Sequence, residues 1–196
     1  FKTGLAELSA VMRGAQEPTQ LGQHVLTYLA QYLQIQIGAI YLMDDTQTLH
    51  MAGSYAYPIR TAASSFKPGE WLVGQAALEK HSIVFSDIPE NYVKIGSGLG
   101  KTIPRQILVL PCVYEDDVKG VLELGTAHEF RDIDRDFLDQ AAESIAVAIH
   151  SAQTRVTMQK LLQATQQKAE ELQKKQEQLQ EANQELEVRA QTLHES

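Results

Sequence analysis

Few residues in this chain have the type and spacing that catalysis or metal binding requires. The only cysteine, Cys112, follows Pro111 within an apolar run, which predicts a buried structural thiol rather than a nucleophile. The histidines show no paired ligand spacing and fall in different predicted elements. They are His24, His50, His81, His128, His150 and His194. The sequence therefore predicts no metal site, no thiol catalyst and no phosphoacceptor histidine within this segment.

Two acidic pairs, Asp44 with Asp45 and Asp116 with Asp117, fall in predicted hairpin turns. Aspartate supports such turns by hydrogen-bonding to nearby backbone through its own side chain. General acid-base catalysis would instead need carboxylates that converge in one cleft with separated pKa values. We therefore interpret both pairs as turn residues.

The run IGSGLG at residues 95–100 is the remaining motif that could bind a ligand, because glycine-rich runs of this kind can hold phosphate groups. A phosphate-binding fingerprint would follow a strand and open a helix, and neither is predicted here. Three glycines and the following Pro104 instead predict a mobile loop over residues 94–104 rather than a regular element. Glycine permits close approach to a guest, so we interpret this loop as a lid.

The elements that would position these residues follow from hydrophobic periodicity. The pattern predicts an α+β fold with a central antiparallel sheet of about five to six strands, terminal helices on one face and the glycine-rich loop on the other. Helices are predicted at residues 5–16, from 19 onward, at 71–80 and from Asp132 onward. Strands are predicted at 37–45, 48–57, 83–86, 107–114 and 118–126, whereas residues 58–68 are expected to be irregular.

Composition divides the chain near Phe137, because every glycine, proline and aromatic residue lies at or before that position. The sequence beyond it predicts one long helix carrying a heptad repeat. Leucines repeat at the d position and a polar asparagine occupies one a position, which is typical of a parallel two-stranded coiled coil. The predicted dimer seam comprises Leu172, Leu179, Asn183, Leu186 and Leu193.

Charge and hydropathy restrict the partners. A net charge of −8 without a basic stripe argues against nucleic acid, and no apolar run is long enough to insert directly into a membrane. A single cysteine suits a reducing cytosol. Because the chain starts at Phe1 and stops within the heptad repeat, we expect it to be a segment of a larger protein, which could itself be membrane-anchored.

The segments GEWLVGQAALEK (residues 69–80) and KGVLELGT (residues 119–126) resemble those of GAF domains. The resemblance covers residues 1–152, and residues 153–196 resemble the connector helix of bacterial, often hybrid, sensor histidine kinases. It implies a cytoplasmic sensory or relay module of a two-component system. We expect this segment not to be an enzyme, because no nucleophile–base pair can be placed in it. Such a module would form a homodimer through its N- and C-terminal helices and would act on downstream kinase dimerisation helices.

A GAF arrangement also implies that strand ends and loops converge on a concave pocket, on the sheet face away from the terminal helices. Such a site would be apolar, with a few hydroxyl partners. The alternative is that the same aromatic residues simply fill the core. The pocket candidates are Tyr55, Tyr57, Phe66, Trp71, Tyr92, Ile95, Gly98, Leu99, Leu110 and Cys112.

Several ligands known in the resembling family are disfavoured by specific residues. Cys112 has no neighbouring histidine, unlike the bilin-anchoring cysteine, and one cysteine cannot form the disulfide that methionine sulfoxide reduction needs. The motif of cyclic-nucleotide-binding members is missing. We therefore expect no bilin, haem or metal. The sequence does not identify the ligand. The alternative of a ligand-free dimerisation and relay domain also remains.

Overall fold

The computed structural model describes residues 1–57 and 65–195. Four helices and eight strands lie within these residues. The helices are α1 (Lys2–Val11), α2 (Pro18–Tyr32), α3 (Trp71–Glu79) and α4 (Asp132–His194). The strands are β1 (Ile37–Met43), β2 (Leu49–Tyr55), β3 (Ser65–Phe66), β4 (Ile83–Ser86), β5 (Ile95–Ser97), β6 (Gly100–Thr102), β7 (Gln106–Tyr114) and β8 (Asp117–Thr126).

Six strands form one antiparallel sheet in the order β3-β2-β1-β8-β7-β4. The predicted α+β fold and its strand count are thus confirmed. In the β1–β2 turn, the Asp44 carboxylate accepts hydrogen bonds from the backbone amides of Thr46 at 2.8 Å and Thr48 at 3.0 Å. Asp44 therefore shapes this turn, as its position predicts.

One face of the sheet packs against α1, α2 and the first part of α4. Leu122 and Leu124 of β8 are fully buried there, together with Phe137 and Ile145 of α4. The Phe1 ring lies edge-on to Phe137 at 6.1 Å between centroids. The N-terminal segment and the start of α4 therefore share one core.

The start of α4 is fixed by a local ion pair. The Arg131 guanidinium donates to both carboxylate oxygens of Asp134, at 2.7 and 3.0 Å. This hydrogen-bonded charge lowers the pKa of the buried Asp134 carboxyl. Asp132 and Asp134 also lie in the first turn, where the positive end of the helix dipole favours negative charge.

The opposite face carries a second, smaller core under α3. Tyr41, Val109 and Val121 contribute from the sheet, and Val73 and Ala76 contribute from the helix. Because side chains alternate across a strand, Val121 and Leu122 belong to different cores although they are adjacent in sequence. The sheet is therefore buried on both faces, but by unlike layers.

Two expectations for the loops need correction. Residues 94–104 do not form an irregular loop, because β5 and β6 pair as a small two-stranded hairpin with Ile95 opposite Thr102. Gly96 and Gly100 are both in paired positions, because glycine can also adopt extended backbone. The prediction of an irregular loop from glycine content alone was therefore wrong. Ser65–Phe66 forms an edge strand on β2 within the span expected to be irregular. Residues 58–64 of that span lie outside the described residues.

The chain divides into two compact units, Phe1–Gln153 and Thr154–Ser196. Within the second unit α4 continues as helix, and every described side chain from Thr157 onward is exposed. No helix of the described residues is long and apolar enough to cross a bilayer.

Candidate functional site

A cavity of about 1080 Å³ opens on the α3 side of the sheet. Its floor is formed by β1, β7 and β8, and its walls by α3, Phe66 and the segment from Tyr92 to Lys94. The volume is at the upper end of the range for small-molecule sites. Aromatic residues of this face, among them Tyr41, Phe66 and Trp71, line the cavity.

Two small residues, Ala39 and Gly125, lie in the floor of the cavity. Ala39 of β1 is paired with Glu123 of β8, and Ile37 is paired with Gly125. A Cβ atom on Gly125 would lie 2.5 Å from the side chain of Ile37, so the absence of a side chain there is sterically required. The short side chain of Ala39 leaves space to the cavity, whereas at position 125 the Ile37 side chain fills the space that a Cβ would need.

The half-buried carboxylate of Glu123 lies in this floor. It stands on β8, which is hydrogen-bonded to β1 on one side and to β7 on the other. Among the described residues none donates a hydrogen bond to it, and none forms an ion pair with it. Burial raises the pKa of Glu123 from 4.5 to about 7, because an apolar environment disfavours the charged form.

Three tyrosines surround this carboxylate. Burial, and then the charge of Glu123, raise the pKa values of Tyr41, Tyr57 and Tyr92. All three line the cavity. Tyr41 is held edge-on against Phe66 at 5.2 Å between ring centroids, and Tyr92 is held against Phe85 at 5.4 Å. The negative group therefore lies among fixed aromatic rings.

The turn before α3 places Trp71 at the cavity, and two glycines make that turn possible. Gly69 has φ of 88° and donates its backbone amide to the Gly74 carbonyl at 2.8 Å. A Cβ on Gly74 would lie 2.2 Å from the Lys67 carbonyl oxygen. Only glycine fits at position 74, because backbone on both sides is in contact there.

Trp71 itself adopts an unusual conformation. Its φ is 58°, a left-handed value that is costly for a bulky side chain. Its indole lines the cavity but is 77% exposed. A large aromatic ring held exposed beside a cavity, with backbone strain, is well placed to respond to a guest.

The cavity rim carries two cations. Lys94 precedes β5, and Lys101 lies on β6 opposite Gly96. Both lysines are exposed. In the part of the chain that the structure describes, the cavity therefore has a carboxylate at the floor and two ammonium groups at the rim.

Four of the ten pocket candidates line the cavity, namely Tyr57, Phe66, Trp71 and Tyr92. Ile95, Gly98 and Leu99 belong to the β5–β6 hairpin but are not part of the lining. Leu99 is fully exposed at the turn of that hairpin, and a Cβ on Gly98 would meet no atom within 4 Å.

Placing Leu110, Cys112 and Tyr55 in the pocket was wrong. Leu110 and Cys112 are buried in the core shared with α1, α2 and α4, on the opposite face of the sheet. Their neighbours Ile107 and Val109 face α3 instead, since alternation along β7 separates the two sets. Tyr55 packs against the same terminal-helix core.

Sequence reasoning missed Glu123, Lys94 and Lys101. Glu123 is the only charged residue between Gly120 and Thr126, in a strand otherwise apolar or small. A lone acid inside such a strand was the available signal, because acids are seldom placed in a sheet covered on both faces. The lysines flank the glycine-rich run and gave no comparable signal.

The other residue types that could take part in catalysis or metal binding are the cysteine, the histidines and the acids. Cys112 is fully buried, and burial raises its thiol pKa to about 12, which keeps it protonated and unreactive. Across residues 1–57 and 65–195, no three His, Cys, Asp or Glu side chains come together in a way that could hold a metal ion.

The family profile described as "GAF domain" matches residues 15–150. No curated protein matches the chain.

Several solved structures share the fold. The GAF domain of an Acinetobacter phosphoenolpyruvate-protein phosphotransferase is 17% identical, with TM-score 0.64, over 78% of this chain and 94% of that one. Its counterpart from Coxiella burnetii is 17% identical, with TM-score 0.66, over 80% and 96%. Free methionine-R-sulfoxide reductase from Neisseria meningitidis, in complex with its substrate, is 18% identical, with TM-score 0.63, over 79% and 90%.

Proposed function

Because the chain belongs to the GAF domain family, whose members have sensory or regulatory roles, we propose that it is a ligand-responsive signalling module. A small molecule would bind in the cavity of about 1080 Å³, and the response would leave through α4. The larger protein would be a sensor histidine kinase, in which α4 continues toward the kinase dimerisation helices.

One observation carries this proposal: Glu123 lies in an open cavity with no hydrogen-bond or ion-pair partner among residues 1–57 and 65–195. Leaving a half-buried carboxylate without a hydrogen-bond partner costs free energy. Neither of its cross-strand neighbours, Ala39 and Val109, carries a charge or a polar side chain. A group with a stability cost and no structural partner supports a role in binding.

The sheet offers a route from the cavity to α4. Glu123 lines the cavity, whereas its neighbours Leu122 and Leu124 are fully buried against the terminal helices. Interiors are close-packed and transmit displacement. A movement of β8 on ligand binding would therefore be felt by Phe137 and Ile145 without any intervening loop.

In the second unit, we expect residues 154–196 to dimerise, so that a ligand-dependent change can alter the pairing of two helices. Leu172, Leu179, Leu186 and Leu193 are each more than half exposed. They repeat every seven residues on a helix that extends to His194. A parallel partner would cover them, with Asn183 fixing the register. Binding must favour one of two arrangements of that bundle to produce an output.

Native mass spectrometry of the purified chain tests this function directly. The expected spectrum shows a dimer mass and a co-purifying small molecule, and removal of that molecule should change the fluorescence of Trp71, the only tryptophan. A chain without bound molecule, whose Trp71 emission is unchanged by extracts of small metabolites, would refute ligand sensing.

A second candidate is a ligand-free dimerisation and relay domain, and the exposed leucines of the tail favour it. In that case the dimer mass would persist but the cavity would bind nothing. Leu172→Ser with Leu179→Ser should then abolish dimerisation, with no effect of any small molecule on the wild-type chain. Only binding of a small molecule in the cavity distinguishes the two candidate functions, because both predict a dimer.

Neither candidate is an enzyme. Some proteins of this fold carry an enzyme name, including the Neisseria meningitidis reductase. Here the single thiol is fully buried on the sheet face opposite the cavity, and the described lining contains no serine, threonine, cysteine or histidine beside Glu123. A binding role therefore accounts for the described cavity better than catalysis does.

A further inference from the structure

We propose that the cavity selects small zwitterions, with an ammonium group bound at Glu123 and an anionic group held by Lys94 and Lys101. This inference rests on the proposed sensory function and names the class of molecule that would be sensed. Its basis is the distribution of charge and aromatic surface within the cavity.

The floor supplies half of the recognition. A carboxylate that accepts no hydrogen bond from the described part of the chain can accept one from a guest, and a charge-assisted bond in an apolar site is stronger than a neutral one. An ammonium group is the complementary donor. The raised pKa of Glu123 supports the same view, because an incoming cation would restore the ionised form that burial disfavours.

Aromatic rings around the carboxylate strengthen the preference for a cation. Tyr41, Tyr57 and Tyr92 lie close enough to Glu123 for its charge to influence them. Phe66 and Trp71 complete the aromatic lining. Ammonium groups are attracted to the faces of such rings. A neutral or anionic guest would gain nothing equivalent at the floor.

The rim supplies the other half. Lys94 and Lys101 line the cavity and are exposed, so a carboxylate or phosphate pointing outward would meet positive charge. A polyamine would place a second cation beside these lysines and be repelled. A simple dianion would leave Glu123 unpaired. The zwitterion satisfies both ends.

Fluorescence titration of Trp71 tests the class with matched probes. L-leucine, L-phenylalanine and 6-aminohexanoate would each be compared with the N-acetyl derivative, which lacks the ammonium group, and with the carboxamide, which lacks the carboxylate. We expect saturable binding of at least one zwitterion, and binding weaker by about ten-fold or more for both of its derivatives.

Variants locate the two ends. Glu123→Gln should remove the discrimination against the N-acetyl derivative, and Lys94→Gln with Lys101→Gln should remove the discrimination against the carboxamide. Glu115→Gln and Lys160→Gln change the same residue types at exposed positions outside the cavity and should behave as wild type. Far-UV circular dichroism confirms that each variant is folded.

Two results would overturn the inference: binding that is equal for a zwitterion and its N-acetyl derivative, or failure of all three zwitterions at millimolar concentration. If a molecule without an ammonium group is then found bound and shifts Trp71, ligand sensing survives and only the zwitterion class is lost. If no molecule of any class binds, both proposals fail.

Discussion

Glu123 and Ala39 are cross-strand partners in the β1–β8 pair, and both line the cavity. The methyl group of Ala39 leaves the carboxylate accessible from the cavity. Directly opposed side chains in antiparallel strands have Cβ atoms about 5 Å apart, so a larger residue at position 39 would cover the carboxylate. Accessibility of this acid is therefore a property of the pair.

The pair leads to a binding prediction. Ala39→Leu should fill part of the cavity and abolish any saturable response of Trp71 to small molecules, while the fold is retained because an apolar residue extends into open space. Ala127→Leu, at an exposed position, is the matched control. An Ala39→Leu variant that binds with wild-type affinity would show that the guest lies elsewhere.

Glu123 should make stability depend on pH. Its folded pKa of about 7 lies above the unfolded value of 4.5, so the folded state holds the proton more tightly. Stability is unaffected below about pH 4.5, falls as pH rises toward 7, and is lower by about 3 kcal/mol above that. Tyr41, Tyr57, Tyr92, Lys94 and Lys101 face the same cavity.

Glu123→Gln should therefore raise the free energy of unfolding at pH 8 by up to about 3 kcal/mol, with the gain vanishing near pH 4.5. Urea denaturation at both pH values measures it, with Glu115→Gln as control. A variant less stable than wild type at pH 8 would mean that the carboxylate has a stabilising partner.

Gly74 should be intolerant of any side chain. Gly74→Ala places a Cβ against the Lys67 carbonyl oxygen, which is backbone and cannot rotate away. Overpacking of this kind costs about 1–3 kcal/mol, measured as a lower melting temperature. Gly98→Ala, which meets no atom within 4 Å, should have no such effect. Equal melting temperatures for the two variants would contradict the tight turn before Trp71.

Asn183 should limit the stability of the dimer while fixing its register. Asn183→Leu is expected to strengthen self-association and to permit higher oligomers, because polar a-position residues specify two strands at a cost in stability. Size-exclusion chromatography with light scattering measures the mass, with Gln184→Leu as a control outside the seam. If both variants and the wild type are monomeric, the coiled coil is refuted.

The rotational register of the helix downstream of Met158 should affect the activity of an attached kinase. One alanine inserted after Met158 rotates the downstream helix by about 100°, whereas a seven-residue insertion preserves the heptad phase. Fused upstream of the dimerisation helices of a sensor kinase, the first insertion should change autophosphorylation and the second should not. Identical activity in both fusions would exclude transmission through helix phase.

Local sequence determined most of the elements and the family. The residues 69–80 and 119–126 carried the resemblance, and alternation in β7 and β8 set the hairpin that the structure contains. Periodicity also placed the start of α4 at Asp132. These features depend on neighbours within a few residues, which is the range over which sequence patterns are informative.

The cavity was decided by tertiary structure. Alternation along the strand places Cys112 and Val109 on opposite faces of β7. Which of these faces meets the terminal helices depends on how β7 joins the sheet. The pocket prediction placed Cys112 on the wrong face. Glu123 became a candidate only when Ala39, from a strand more than eighty residues earlier, was placed beside it. Pairing between distant strands creates the open volume, and no local pattern encodes which small residue will lie opposite which acid.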